Sequence, residues 1–399
     1  MLPTPRLQDL LRPSRGGGFH TINAGRPSRF FSRARYALLE AYQGAGVGPE
    51  GGLLAPAYHC RTMLDPAIQL QAPVLLYSLD EQLQPCVDSV RQCIAQSTQP
   101  VKALLLPHFF GFAQPMKALA DLCRTQGVAL IEDCSHLLVT GLQPDEPAPA
   151  LGQAGHWTVA SPYKFFACHE GGLLWRAPPE QRAVAAQRAA AGAALRAAAG
   201  AASPLESARP REARTFLRAL RAGQPTGRTP DATPLDAPLP PALRLVPADC
   251  DQTVADARVS PAFEPAQARL RGAPWARWLM RLSNVEQLAQ RRRRHYLRLH
   301  TAIAALPNCR ALFDALPSHT VPYMFPLHIE HPDPHFFLLK RLGVPVGRWD
   351  DLAVSTCAVA ADYRLHLIHL PCHQSLSDAQ VDWMCQALKT ALTQPVVRP

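Results

Sequence analysis

The sequence predicts an α/β fold, with a mostly parallel, doubly wound sheet sandwiched by helices. Three observations carry this. Apolar runs of strand length (Leu53 to Pro56, Val74 to Leu79, Ala103 to Leu106, Ala129 to Asp133) alternate with segments of helical spacing. The segment from Val87 to Gln96 fits the helix of a right-handed crossover between two parallel strands. Finally, the run ending at Glu132-Asp133 is followed, about thirty residues later, by WTVAS, which delivers Lys164 just ahead of Gly171-Gly172. Ligands of open α/β sheets bind beyond the carboxyl ends of the strands, so Asp133 and Lys164 mark the expected site.

Taken in order, residues 1–30 mix Pro, Gly and Arg and read as an arm with little structure of its own. Phe30 to Tyr42 has helical spacing, with Tyr36, Ala37, Leu39 and Ala41 close on one face. Its N-terminus is a ready anion site. Pro115 to Gln126 is an amphipathic helix with Met116, Leu119 and Leu122 on one side. The stretch over 176–265 turns Ala-rich and then Pro-rich, as in a linker or excursion, and no catalysis is assigned to it. Beyond it, over 266–399, a smaller C-terminal α/β domain is expected. It has a long helix from Val285 to Leu306, strand-like patches at Val321 to Ile329 and Ala353 to Thr356, and a last helix from Ser377 to Leu388 capped by Ser377. The large domain is expected over 31–175.

At 399 residues, 47% apolar and 18% charged, the composition is that of a globular protein with room for two domains. No apolar run approaches the roughly 20 residues that span a bilayer. The N-terminus has arginines and lacks the apolar core of a secretory signal, so a soluble, cytoplasmic protein is expected. Eleven cysteines without C-x-x-C spacing read as free thiols in a reducing compartment, and no metal template is met. The net charge of +10 comes with arginine clusters at Arg26 to Arg35, Arg209 to Arg221 and Arg291 to Arg294. These raise nucleic acid, an acidic surface or a phosphorylated substrate. No nucleic-acid motif accompanies them, so solvated helix faces are the expectation.

The chemistry that suits a lysine at one strand end and a carboxylate at the next is that of pyridoxal phosphate. The amine condenses with the cofactor aldehyde as a Schiff base, and the carboxylate keeps the pyridine nitrogen protonated, so that the ring draws electrons. Such a lysine is expected to be desolvated, among Tyr163, Phe165 and Phe166, to hold a usable amine near neutral pH. Each residue also has a structural reading: Asp133 as a helix cap, Lys164 as a surface lysine, Gly171-Gly172 as a hairpin turn.

The stretches HFFGFAQPMKALADLCRTQGVALIEDCSH and SPYKFFACHEGGLL resemble the DegT/DnrJ/EryC1/StrS family of sugar aminotransferases, from about Phe31 to Arg176. The resemblance resumes from about Arg291 to Leu388, through RRRRHYLRL and LPCHQSLSDAQVDWM. It implies a fold-type-I architecture with a seven-stranded sheet, pyridoxal 5'-phosphate as cofactor, glutamate as amino donor and a keto sugar, usually nucleotide-linked, as acceptor. It also implies a homodimer with shared active sites. By the same resemblance Lys164 carries the cofactor, Asp133 pairs with the pyridine nitrogen, and His136 stands where a glutamine usually faces the phenolic oxygen. Ala34, Arg35 and Ser161 would contact the phosphate, although the usual glycine is Ala34 here. Cys60 takes the place of the stacking aromatic, with Tyr58 just before it.

Other readings stay open. A different pyridoxal-phosphate reaction would keep Lys164 and Asp133, and a scaffold that binds a partner without catalysis would need neither. The family's dehydratase branch has histidine in place of the lysine and is disfavoured by Lys164.

Overall fold

A seven-stranded sheet lies at the centre of the computed structural model, which describes residues 18–141, 151–176, 205–206, 243–244 and 258–397. The first strand, β1 (Phe19–Thr21), precedes β2 (Arg29–Phe31), α1 (Ala34–Ala45), β3 (Gly52–Pro56), α2 (Arg61–Gln69), β4 (Val74–Tyr77) and α3 (Val87–Gln96). Then come β5 (Val101–Pro107), α4 (Lys117–Gln126), β6 (Ala129–Asp133), β7 (Val139–Gly141), β8 (Trp157–Ala160) and β9 (Gly172–Arg176). The sheet order is β2-β9-β8-β6-β5-β3-β4. Strands β4, β3, β5, β6 and β8 run parallel, while β9 is antiparallel to both its neighbours.

Both faces of this sheet are covered, which is why its strands read as continuous apolar runs. Leu54, Leu104, Leu106 and Leu130 pack into one core, whereas Leu53, Ala55, Ala103, Leu105, Ala129 and Ile131 pack into another with α1 and α2. Alternation along β6 therefore sends Asp133 to the α1 face and Glu132 to the other.

The remaining elements are β10 (Leu243–Arg244), α5 (Pro274–Leu282), α6 (Val285–Ile303), β11 (Cys309–Ala311), β12 (Met324–Ile329), α7 (Pro332–Arg341), α8 (Ala358–His366), β13 (Leu367–Pro371), α9 (Asp378–Leu392) and β14 (Val396–Val397). Strands β11, β12 and β13 form a small antiparallel sheet. Its residues Phe325, Leu327, Ile329, Ile368 and Leu370 share a core with Leu104 and Leu106 of the large sheet. The helix expected at the C-terminus opens with a capping box, Ser377 and Gln380 each bonding the other's backbone N–H.

Several expectations need correction. Phe30 and Phe31 belong to a strand, and the helix begins only at Ala34. The pairing of β2 with β9 takes them because both side chains pack in the core. Within the expected arm, β1 pairs with β7 and Ile22 is buried. Pro115 and Met116 lie outside α4, and Ala353 to Thr356 forms no strand. Gly171-Gly172 is not a hairpin turn: β8 and β9 do pair antiparallel, but residues 161–171 run between them. Arg209 to Arg221 and nearly all of the Ala/Pro-rich stretch lie outside the described residues.

Candidate active site

Two neighbouring strands bring the site together. Asp133, the last residue of β6, pairs with Val159 of β8, and five residues further on Lys164 closes a single 3-10 turn, Pro162–Lys164, that follows β8. Asp133 is buried, and its Oδ1 accepts the backbone N–H of Ser135 at 2.8 Å. Lys164 is half-buried, and its Nζ sits 5.2 Å from the ring centroid of Tyr323, a contact made by the residue just before β12.

Electrostatics link the two groups. Burial lowers the Lys164 ammonium, but the phenols of Tyr323 and Tyr163 and the carboxylate of Asp133 outweigh it, so its pKa lies above the ordinary lysine value. The expected neutral amine is thus not what this pocket favours.

His136 lies across from them, its ring stacked on Tyr323 at 4.3 Å between centroids. Its Nδ1 accepts the N–H of Phe110 at 3.2 Å. That bond places the proton on Nε2, which is buried and has no partner among the described residues. Burial, then the nearby charge of Lys164, hold its pKa well below the usual histidine range. The result is a neutral imidazole with one unused donor.

Ser161 and Ser135 bond hydroxyl to hydroxyl at 3.0 Å, which ties the turn before Lys164 to the strand end after Asp133. Ala34 is buried at the start of α1 and Arg35 donates to the carbonyl of Ala262, while Arg33 just ahead stands 4.8 Å over the ring of Tyr163. The strand-to-helix turn abuts Gly172, where a Cβ would meet the Arg33 carbonyl carbon and oxygen at 2.4 Å and the Ala34 nitrogen at 2.5 Å. Ser32, in the same turn, has a buried hydroxyl without a partner among the described residues.

Tyr58 and Cys60 part company. Tyr58 is fully buried, its ring against Trp349 at 5.1 Å and its hydroxyl on His369 Nε2 at 2.9 Å, inside the core shared by the two sheets. Cys60 is half-buried at the N-cap of α2 and near enough to interact electrostatically with Lys164.

Sequence reasoning missed three contributors. Tyr323 shows no signal beyond one aromatic before an apolar run. Trp349, near both His136 and Tyr58, follows no periodic segment. Arg292 had a signal: it falls on the same helical stripe as Leu288, Tyr296 and Leu299, where a solvated charge does not belong.

Glu132, on the opposite face, is the centre of a separate buried cluster with His108 and Cys134. His108 Nε2 lies 3.0 Å from Glu132 Oε1, while His108 Nδ1 accepts the N–H of Gln114 at 3.0 Å. With Nδ1 so used, Nε2 carries the proton and donates to the carboxylate, which also accepts from Gly152 N–H at 2.7 Å. The cluster is a hydrogen-bonded brace.

A fold-type-I cofactor fits these residues. The unused donor at His136 Nε2 suits a phenolic oxygen, the Asp133 carboxylate suits a protonated ring nitrogen, and the orphan Ser32 hydroxyl beside a helix N-terminus suits a phosphate.

Residues 31–199 match the DegT/DnrJ/EryC1/StrS aminotransferase family. Among curated proteins, L-glutamine:scyllo-inosose aminotransferase of Streptomyces griseus is 28% identical over 138 residues, 35% of this chain and 32% of its own. The dTDP-4-dehydro-2,3,6-trideoxy-D-glucose 4-aminotransferase of Saccharopolyspora spinosa is 26% identical over 152 residues, 38% of each chain. The chain thus matches about a third of the length of these relatives. Among solved structures, an aminotransferase from Streptoalloteichus hindustanus superposes with a TM-score of 0.61 at 18% identity, covering 92% of this chain and 85% of the other. At that identity the likeness is one of fold.

Proposed function

We propose that the chain, whose residues 31–199 match the DegT/DnrJ/EryC1/StrS aminotransferase family, is a pyridoxal-phosphate-dependent aminotransferase that moves an amino group from glutamate to a nucleotide-linked keto sugar. The observation that carries the reading is the convergence of Lys164 and Asp133 from the ends of two adjacent parallel strands. The relative that acts on a dTDP-linked dehydro sugar supports the acceptor class.

When bound, the cofactor supplies an electron sink for the bond to be broken at the substrate carbon. The chain's residues do the rest. Lys164 Nζ would hold the cofactor covalently and, once an incoming substrate amine has displaced it, would take and return the substrate proton as a free amine. Asp133 holds a proton on the ring nitrogen. His136 Nε2–H, a buried donor with no partner among the described residues, would donate a hydrogen bond to the phenolic oxygen. Backbone amides at Ala34 and Arg35, together with Ser161, bind phosphate. Tyr323 and Tyr163 flank the amine and limit its contact with water. Cys60 lines the pocket, and Tyr58 supports it from the core through Trp349 and His369. No helix among the described residues is long and apolar enough to cross a membrane. We place the enzyme in the cytoplasm, acting as a homodimer that shares its active sites; gel filtration with light scattering tests the assembly.

The deciding experiment is a visible spectrum after addition of pyridoxal phosphate, before and after borohydride, with peptide mapping. A yellow species reduced onto Lys164, and lost in Lys164→Ala, is expected. A colourless protein with no adduct overturns the reading.

A further inference from the structure

Arg292 is the largest fully buried side chain of the described residues, and no carboxylate is among its bonded partners. A buried guanidinium is costly unless its donors are satisfied. Here they go to three backbone carbonyls and one side-chain amide oxygen. Nη2 donates to the carbonyl of Lys164 at 2.7 Å, and Nη1 to those of Pro322 and Tyr323 at 3.1 and 3.2 Å. Nε donates to Gln374 Oε1 at 2.8 Å, and Gln374 in turn donates to the carbonyl of Phe165 at 2.6 Å. The guanidinium plane also rests 4.6 Å from the ring centroid of Phe165. One side chain of α6 therefore grips the backbone of the nucleophilic lysine and of Tyr323, the ring that touches its amine.

We infer that Arg292, with Gln374, is a positioning residue that fixes Lys164 relative to Tyr323. The inference rests on the proposed role of Lys164. Three further points favour positioning over plain packing. The fork binds the residue that bears the amine and the residue whose ring meets it, so their separation is set through one rigid plane. Arg292 sits on the stripe of Leu288, Tyr296 and Leu299, where an apolar side chain fills the space at lower cost. Its neighbours in the arginine run differ: Arg294 pairs with Asp378 at 3.1 Å on the surface, and Arg293 bonds the carbonyls of Pro317 and Thr320. The lysine's backbone has no other side-chain clamp among the described hydrogen bonds.

The test compares wild type, Arg292→Lys and the surface control Arg294→Lys. Lysine keeps the charge and loses the fork. Two readouts are taken: the rate at which an amine acylating reagent labels Lys164 across pH, mapped by mass spectrometry without added cofactor, and kcat against KM after loading with pyridoxal phosphate. Arg292→Lys is expected to fold, to shift the Lys164 labelling rate by about threefold or more, and to lower kcat by roughly 10- to 100-fold with KM little changed, the scale of a misplaced reacting group. Arg294→Lys should match wild type. In Arg292→Ala, added guanidinium should restore the labelling profile. Equal labelling and equal kcat in Arg292→Lys and wild type overturn the inference, as does guanidinium that restores thermal stability but not labelling. If wild type takes up no cofactor, the aminotransferase reading fails, and the labelling comparison still decides whether Arg292 controls the amine. Should Arg292→Lys not fold, Gln374→Leu, which frees the Phe165 carbonyl, is judged by the same two readouts.

Discussion

At the residue scale, the proposed mechanism gives Asp133 and His136 separable roles. Asp133→Asn keeps the size of the side chain and removes the charge that holds a ring proton. Borohydride trapping on Lys164 should survive in this variant, while turnover falls by about 10²-fold or more, the loss typical of one preorganised electrostatic partner. Full turnover in Asp133→Asn would remove that residue from the mechanism. His136 is held neutral by burial and by Lys164, so the kcat profile should show no limb from its titration between pH 5 and 8. A limb present in wild type and absent in His136→Asn would contradict that assignment. Asp133 was legible in the sequence as the carboxylate that ends a strand-length run, and His136 only through the family resemblance. Their hydrogen-bond partners were not, since the Phe110 N–H and the Ser135 N–H reach them only through loop geometry.

At the element scale, the segment Phe109–Gly111 after β5 is tightly constrained. Gly111 has φ of +103°, and a Cβ there would meet the Val321 carbonyl at 2.5 Å and the His136 carbonyl at 3.2 Å. Gly111→Ala should therefore destabilise by about 2 kcal/mol or more through strain and displacement of the Val321-Pro322 segment before Tyr323; chemical denaturation gives the number, and a change under half of that would mean the loop yields freely. Ser377→Ala removes one half of the capping box on α9 and should cost about 1 kcal/mol, read from the denaturation midpoint. Helices α3, α6 and α9 were readable to within a few residues because caps and apolar stripes are local. Strand β2 was not. RFF reads as the entry to a helix, and only its pairing with β9 shows otherwise.

At the scale of the whole molecule, buried histidines contribute to the response to acid, His136 among them. Burial lowers His59, His295 and His335 to about 4 and His369 to about 3, from an ordinary value of 6.5. The unfolded chain takes up these protons below pH 6.5 while the folded chain does not, so the unfolded state gains from acidification. The stability they contribute is complete above about pH 6.5 and is lost as pH falls toward 4. The slope is at most about 1.4 kcal/mol per pH unit for each histidine. Denaturant midpoints measured from pH 7 to 4.5 should fall steadily, and a flat profile would show that these rings are hydrated. His369 is the most informative, because it also bonds Tyr58, and His369→Gln should remove part of the slope.

The sequence by itself determined the sheet, its direction and the two residues at its mouth. Apolar periodicity and strand length are properties of neighbouring residues, and Lys164 and Asp133 lie at the ends of such runs. Tertiary structure alone decided the rest of the pocket. Tyr323, Trp349, Arg292 and Gln374 reach it from far along the chain, by packing of the small sheet on the large one. It also decided the charge on Lys164, since the protonation of an amine depends on which phenols and carboxylates are folded against it.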